Sequence, residues 1–177
     1  GVKFWSASRH ACLRSCECGY GISLVFAPGG QYVVVGTKEG SLIVVDIVSG
    51  SITYTEEEAH KAEIWDLSVR PDGTGLMSCS GDGMVKFWDF EMIDQDGGSK
   101  VLELAQSREL AMNHDAMCCT YSKTKDNDKL MLAVGLLDNT IKVFYDDSLK
   151  FFLSLYGHRL PVTCVDISTD GTLLISG

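Results

Sequence analysis

The sequence predicts an all-β fold made of repeated blades, and three observations carry that prediction. Short runs at residues 42–47, 84–90 and 140–145 alternate apolar and polar side chains between Gly, Asp and Asn turns, the period-two signature of strands. Amphipathic stretches of helical length are nearly absent. Finally, laying Pro28-Gly29-Gly30 on Pro71-Asp72-Gly73 brings Gly40 onto Gly83 and Asp46 onto Asp89, a repeat of 43 residues, which marks a recurring supersecondary unit.

In chain order, Val2-Lys3-Phe4-Trp5 matches Val85-Lys86-Phe87-Trp88, so residues 1–18 read as the second half of a blade. Whole blades are expected at about 19–59, 60–113 and 114–157, and residues 158–177 begin another, opened by Tyr156-Gly157-His158. The third interval is stretched: Asp89 and Asp146 stand 57 residues apart. The excess sits mainly at residues 93–99, a polar, Gly-rich tract that reads as an insertion between the last two strands of a blade, and residues 123–129 form a smaller polar loop. Both ends fall at the same point of the repeat. Three units and two complementary halves make four blade equivalents, the lower limit for a β-propeller, so the expected architecture is an incomplete portion of a larger propeller.

Composition excludes several functions. A formal charge of −9 disfavours sequence-independent nucleic-acid binding, which needs clustered Lys and Arg to neutralise phosphates. No apolar run reaches the roughly 18 to 20 residues that span a bilayer, so no membrane contact is expected. Of seven cysteines, Cys79, Cys118, Cys119 and Cys164 sit within apolar strand-like runs and read as small buried hydrophobes. The odd count suits a reducing compartment. His10, Cys12, Cys16 and Cys18 have zinc-ligand chemistry, but their spacing lacks paired C-x2-C hairpins, and they read as ordinary strand residues. Asp94 and Asp96 begin a weak calcium-loop pattern that has Ala105 where its bidentate Glu belongs, so a solvated turn is expected there. No metal and no cofactor is expected.

The best-formed repeat is residues 78–89, a strand, a tight Gly81-Asp82-Gly83 turn and a strand closing on Trp88-Asp89, with His60 22 positions before Asp82. With Ala59-His60 and Tyr156-Gly157-His158 as repeat openings, the chain resembles the WD-repeat family over essentially its whole length. That resemblance implies a structural tetrad of His60, Ser78, Asp82 and Trp88, in which each buried polar group needs a partner. The first unit departs from the pattern, with Glu17, Val35, Glu39 and Val45 at the equivalent places, so apolar packing is expected to hold it. Residues 136–158 carry a closer resemblance, to tandem-propeller subunits of the small-subunit processome associated with the U3 small nucleolar ribonucleoprotein. It implies a non-catalytic scaffold in pre-ribosomal RNA processing and small-subunit assembly, located in the nucleolus. The implied partners are other WD-repeat and processome proteins and, within the assembly, small nucleolar or pre-ribosomal RNA. The alternative is a WD-repeat adaptor of another class, a signalling platform or a ubiquitin-ligase substrate receptor.

Chemistry finds little purchase. Ser78, His60 and Asp82 are the residue types of a hydrolase triad, but Ser78 lies in an apolar strand-like run without a G-x-S-x-G elbow. Gly36-Thr37-Lys38-Glu39-Gly40 lacks the order of a phosphate loop and reads as a hairpin turn. No enzyme activity and no small-molecule substrate is expected. In WD-repeat relatives, contacts come from positions three and five after the repeat His and from the residue before the turn Asp. The resemblance carries these onto Glu63, Trp65 and Gly81, onto Met117, Cys119 and Leu137 counted from His114, and onto Tyr20, Ile22 and Lys38 in the first unit. Trp65 is the leading candidate, against a core position packed on Val69. His114 and His158 read as repeat-opening structural histidines, and Lys38, Lys123, Lys125 and Lys129 as the side chains able to touch phosphates in a larger assembly.

Overall fold

The computed structural model describes residues 1–94, 98, 100–123 and 129–177, which form antiparallel sheets and no helix. The first four-stranded sheet runs β3 (Gly21–Phe26), β4 (Tyr32–Thr37), β5 (Leu42–Asp46) and β6 (Ile52–Glu56). The second contains β7 (Ile64–Val69), β8 (Gly75–Ser80), β9 (Met84–Asp94) and β10 (Lys100–Ala111). The third contains β11 (Ala116–Tyr121), β12 (Met131–Leu136), β13 (Ile141–Tyr145) and β14 (Phe151–Leu155). Two-stranded sheets flank them, β1 (Val2–Ser6) with β2 (Ala11–Cys16), and β15 (Val165–Ile167) with β16 (Leu174–Ser176). The inner strands stand side by side, β7 between β3 and β11, and β11 against β15. This is a run of propeller blades, not a closed barrel.

Stacking of blades explains the apolar content. β4 and β8 are buried along their whole length, because each face meets a different neighbour. Val34 packs with Ile64 and Leu76 in the seam between first and second blades, while Val33 and Val35 turn to Val2 and Phe4 of the preceding sheet. Met77 joins Leu132, Val134 and Phe144 in the next seam. A fully buried aliphatic side chain contributes about 1.5–3 kcal/mol, so each seam is a sizeable apolar core. The turn between second and third strands demands positive φ, adopted by Gly40 (90°), Gly83 (75°) and Asn139 (70°). A Cβ on Gly40 would lie 2.4 Å from the His60 carbonyl oxygen, which only glycine avoids.

Much of the stretched interval is strand. β9 and β10 stay paired from Met84↔Ala111 to Asp94↔Lys100, so the extra residues lengthen a hairpin whose inner side covers the first blade. Leu102 and Leu104 join the first seam, and the Tyr32 hydroxyl donates to the Lys100 carbonyl at 2.9 Å. The Tyr54 hydroxyl, which donates to Glu56 Oε2 at 2.9 Å, also lies 3.3 Å from the Leu104 carbonyl. Asp94, where the solvated turn is expected to begin, is the exposed last residue of β9, 3.6 Å from the Lys100 ammonium. Asp96 and Lys125 lie outside the described residues. Register also shows that Tyr145, not Asp146, stands where Asp89 does, since Gly75 pairs with Asp89 and Met131 with Tyr145.

Candidate functional site

The second blade is closed by one directional chain of hydrogen bonds. The Trp88 indole N–H can only donate, and does so to the Ser78 hydroxyl at 2.8 Å. Ser78 spends its own proton on His60 Nε2 at 2.7 Å, which makes His60 the Nδ1–H tautomer and lets it donate to Asp82 at 3.0 Å. Asp82 also accepts the backbone N–H of Lys61 at 3.0 Å and of Met84 at 2.9 Å. Burial pushes the His60 pKa below 6.5 despite the neighbouring carboxylate, so a neutral imidazole, not an ion pair, holds this contact at neutral pH. For Asp82, burial acts upward, but the Lys61 N–H, the His60 contact and the Met84 N–H win, and its pKa falls below 3.8. Ser78 is fully buried with its hydroxyl committed on both sides, so it has no free nucleophile to offer.

The third unit closes differently. His60 donates its backbone N–H to Gly40 O, and the matching bond to Gly83 O comes from Met112, not His114. Met112 packs in the seam with Val134 and Phe144, which replace Ser78 and Trp88. His114 is half exposed, its Nε2 3.6 Å from Asp138 Oδ2, so it is not the repeat-opening histidine the sequence suggested. His158 does bond Ser176, Nε2 to Oγ at 2.8 Å. In the first unit, Val35 and Val45 are fully buried, while Glu17 and Glu39 are exposed.

One ring of loops gathers the proposed contact residues. A register shift recurs in the first hairpin of each blade, and the residues it leaves unpaired are Ile22, Trp65 and Met117. They are bulge residues, which the backbone re-aims out of the sheet. Trp65 keeps 36 % of its surface and Tyr20 65 %. The neighbouring positions align by one main-chain bond in each blade: Lys38 N–H to Tyr20 O, Gly81 N–H to Glu63 O, and Leu137 N–H to Asp115 O. Counting from Met112 therefore puts Asp115, not Cys119, beside Met117. Cys119 is buried in the seam. Tyr20, Lys38, Glu63 and Trp65 line one hollow between blades, and Met117 and Leu137 line another with residues 158–163.

Two polar seams escaped sequence reasoning. Next to the first two bulges, Ser23 donates to Ile64 O at 3.0 Å, while Asp66 accepts the Cys119 N–H at 2.9 Å. On the opposite face, the buried Asp146 carboxylate accepts Arg108 Nη2 at 2.9 Å and forms an ion pair with Arg70 Nη2 at 2.8 Å without hydrogen-bond geometry, and Arg108 also donates to the Asp146 carbonyl and lies 4.6 Å over the Phe87 ring. The only sequence signal was charge inside an apolar blade, and nothing in the spacing pairs these residues. Cys12 is exposed and Cys16 and Cys18 are buried. Among the described residues, no three His, Cys, Asp or Glu side chains group as a metal site.

Comparison with known proteins agrees with this architecture. The family described as the WDR3 second beta-propeller domain matches residues 1–177. WD repeat-containing protein 3 of Homo sapiens is 46% identical over 162 residues, covering 91% of this chain and 17% of that protein. Its homolog from Dictyostelium discoideum is 46% identical over 166 residues, 93% of this chain and 17% of the relative. The U3 small nucleolar RNA-associated protein 12 of Saccharomyces cerevisiae is 43% identical over 171 residues, 93% of this chain and 18% of the relative. The chain thus spans under a fifth of the length of these relatives. With blades, bulges and a tetrad in place and the family matched from residue 1 to residue 177, the chain belongs to the WDR3 second β-propeller domain family.

Proposed function

We propose that this segment is a rigid, non-catalytic interaction platform within a subunit of the small-subunit processome, acting in pre-ribosomal RNA processing and small ribosomal subunit assembly in the nucleolus. The observation that carries the reading is 43% identity, over 93% of the chain, to a yeast protein whose name associates it with U3 small nucleolar RNA. The geometry supports a contact role. Rigid blades present loops and bulge residues on one face, and exposed Trp and Tyr side chains there are the types that dominate protein interfaces. The proposed contacts are Trp65, Glu63, Tyr20, Lys38, Met117 and Leu137, and the partners are processome proteins and the RNA they hold. The test is affinity purification of the tagged full-length protein and its Trp65→Ala variant, reading co-purifying proteins and U3 RNA. Wild type should recover both. Recovery of neither would reject the reading.

A further inference from the structure

The two hollows on the loop face occupy the same place between successive blades but differ in chemistry. The first, about 420 Å³, is lined by Tyr20, Lys38, Glu63 and Trp65. Lys38 holds its ammonium 5.6 Å over the Tyr20 ring, turned to an aromatic face and not to Glu63. Glu63 is half-buried and makes no ion pair among the described residues. Its Oε2 and the Trp65 Nε1 lie 3.1 and 3.2 Å from where a Cβ on Gly81 would stand, so a side chain there would crowd both, and the glycine leaves the carboxylate and the indole side by side over an open floor. A planar cation satisfies both, bonding the carboxylate while stacking on the indole.

The second hollow, about 650 Å³, is lined chiefly by Met117, Leu137, Leu160 and Pro161. Leu137 and Leu160 are exposed. It offers an apolar side chain a place to leave water, with Arg159 at its rim. Charge favours a basic visitor: the adjoining hollow at the His60 turn is lined by Glu39, Glu57, Glu58, Asp82 and Glu109 against Lys61 and Lys86, and the chain carries −9 overall.

From these features we infer that the loop face takes a basic segment of a protein partner, whose arginine enters between Glu63 and Trp65 and whose apolar anchor fills the Met117–Leu137 hollow. The inference rests on reading this face as a partner surface, and it names the partner's chemistry. The test places the photocrosslinker p-benzoylphenylalanine at exposed Lys61, two residues from Glu63, in the full-length protein in cells, and identifies the crosslinked peptide. The expected product is a net-positive protein segment containing arginine and a large apolar residue. A synthetic peptide of that segment should bind the full-length protein at least tenfold more weakly after Glu63→Gln, and to the same extent after arginine-to-alanine replacement in the peptide. Combining the two changes should cost no more than either alone, and Leu137→Asp should cost at least fivefold.

Crosslinking to RNA, to an acidic or arginine-free segment, or to nothing overturns the inference, as does unchanged affinity after Glu63→Gln or Leu137→Asp. If such a failure occurs while U3 RNA and processome proteins still co-purify, the inference falls and the processome reading stands. If a basic segment crosslinks but U3 RNA and processome proteins do not co-purify, the inference stands and the processome reading falls.

Discussion

The Asp66 carboxylate, on the inner strand of the second blade, accepts the backbone N–H of Cys119 on the inner strand of the third at 2.9 Å. Its other oxygen takes the Leu67 N–H at 2.9 Å. Burial raises the Asp66 pKa above 3.8, against the pull of these two donors, so the seam holds this charge at a cost. Replacing Asp66 by Ala orphans the Cys119 amide, a loss of about 1–3 kcal/mol. Hydrogen exchange should show it as roughly tenfold or faster exchange at residues 118–120, with the first blade unchanged.

Asp82 and Asp138 occupy the same turn position with different partners. Asp82 serves His60 and two backbone amides, whereas Asp138 receives both of its hydrogen bonds from Thr140, at 3.1 and 2.6 Å. Asp82→Ala should cost about 3 kcal/mol and Asp138→Ala about 1 kcal/mol, by the number of buried donors left unmet. Urea unfolding of each variant measures the difference, and equal losses would contradict the tetrad's special weight.

The His60 tautomer gives the blade a pH signature. Because burial holds the folded pKa below 6.5, the folded state binds fewer protons than the unfolded one there. Stability from this group is complete above pH 6.5 and declines as pH falls below it. Asp82, also depressed, adds a second loss below about pH 3.8. The urea midpoint should therefore drop between pH 7.5 and 5 in the wild type and drop less in His60→Gln.

Asp146 is almost wholly buried, while each of its two arginines keeps about a third of its side chain in water. Removing one arginine leaves the carboxylate paired with the other. Removing both strands a buried charge, which costs about 3–5 kcal/mol. Arg70→Ala, which removes one partly solvated ion pair, should stay near ~1 kcal/mol, Arg108→Ala, which also loses the Asp146 carbonyl and the Phe87 ring, should cost about 2 kcal/mol, and the double variant should exceed their sum. Additivity in a double-mutant cycle would show that Asp146 does not couple them.

What could be seen in the sequence follows from how local the cause is. The Gly81-Asp82-Gly83 turn and the apolar runs of β4 and β8 are decided by neighbouring residues, so the second blade reads clearly. The third blade does not, because His114 is a histidine two positions from the place the backbone assigns to Met112, and Met, Val and Phe leave no polar motif behind. The length of β9 and β10 is not legible, because Tyr32 of another blade holds the Lys100 carbonyl and Leu102 and Leu104 pack in that blade's seam. Asp146 and its arginines meet only in three dimensions. The bulge that turns Trp65 outward is a backbone event with no compositional signature.

The long hairpin has an evolutionary consequence. Arrays of like repeats gain and lose units easily because each unit contacts only its neighbours through interchangeable faces. Here Tyr32 is hydrogen-bonded to the backbone of a strand that belongs to the following unit, and Leu102 and Leu104 of that strand pack in the first seam, so removing either blade alone would strip a fitted cover from the other. The first two blades thus share one cover, and a whole unit placed between them would part Tyr32 from the Lys100 carbonyl.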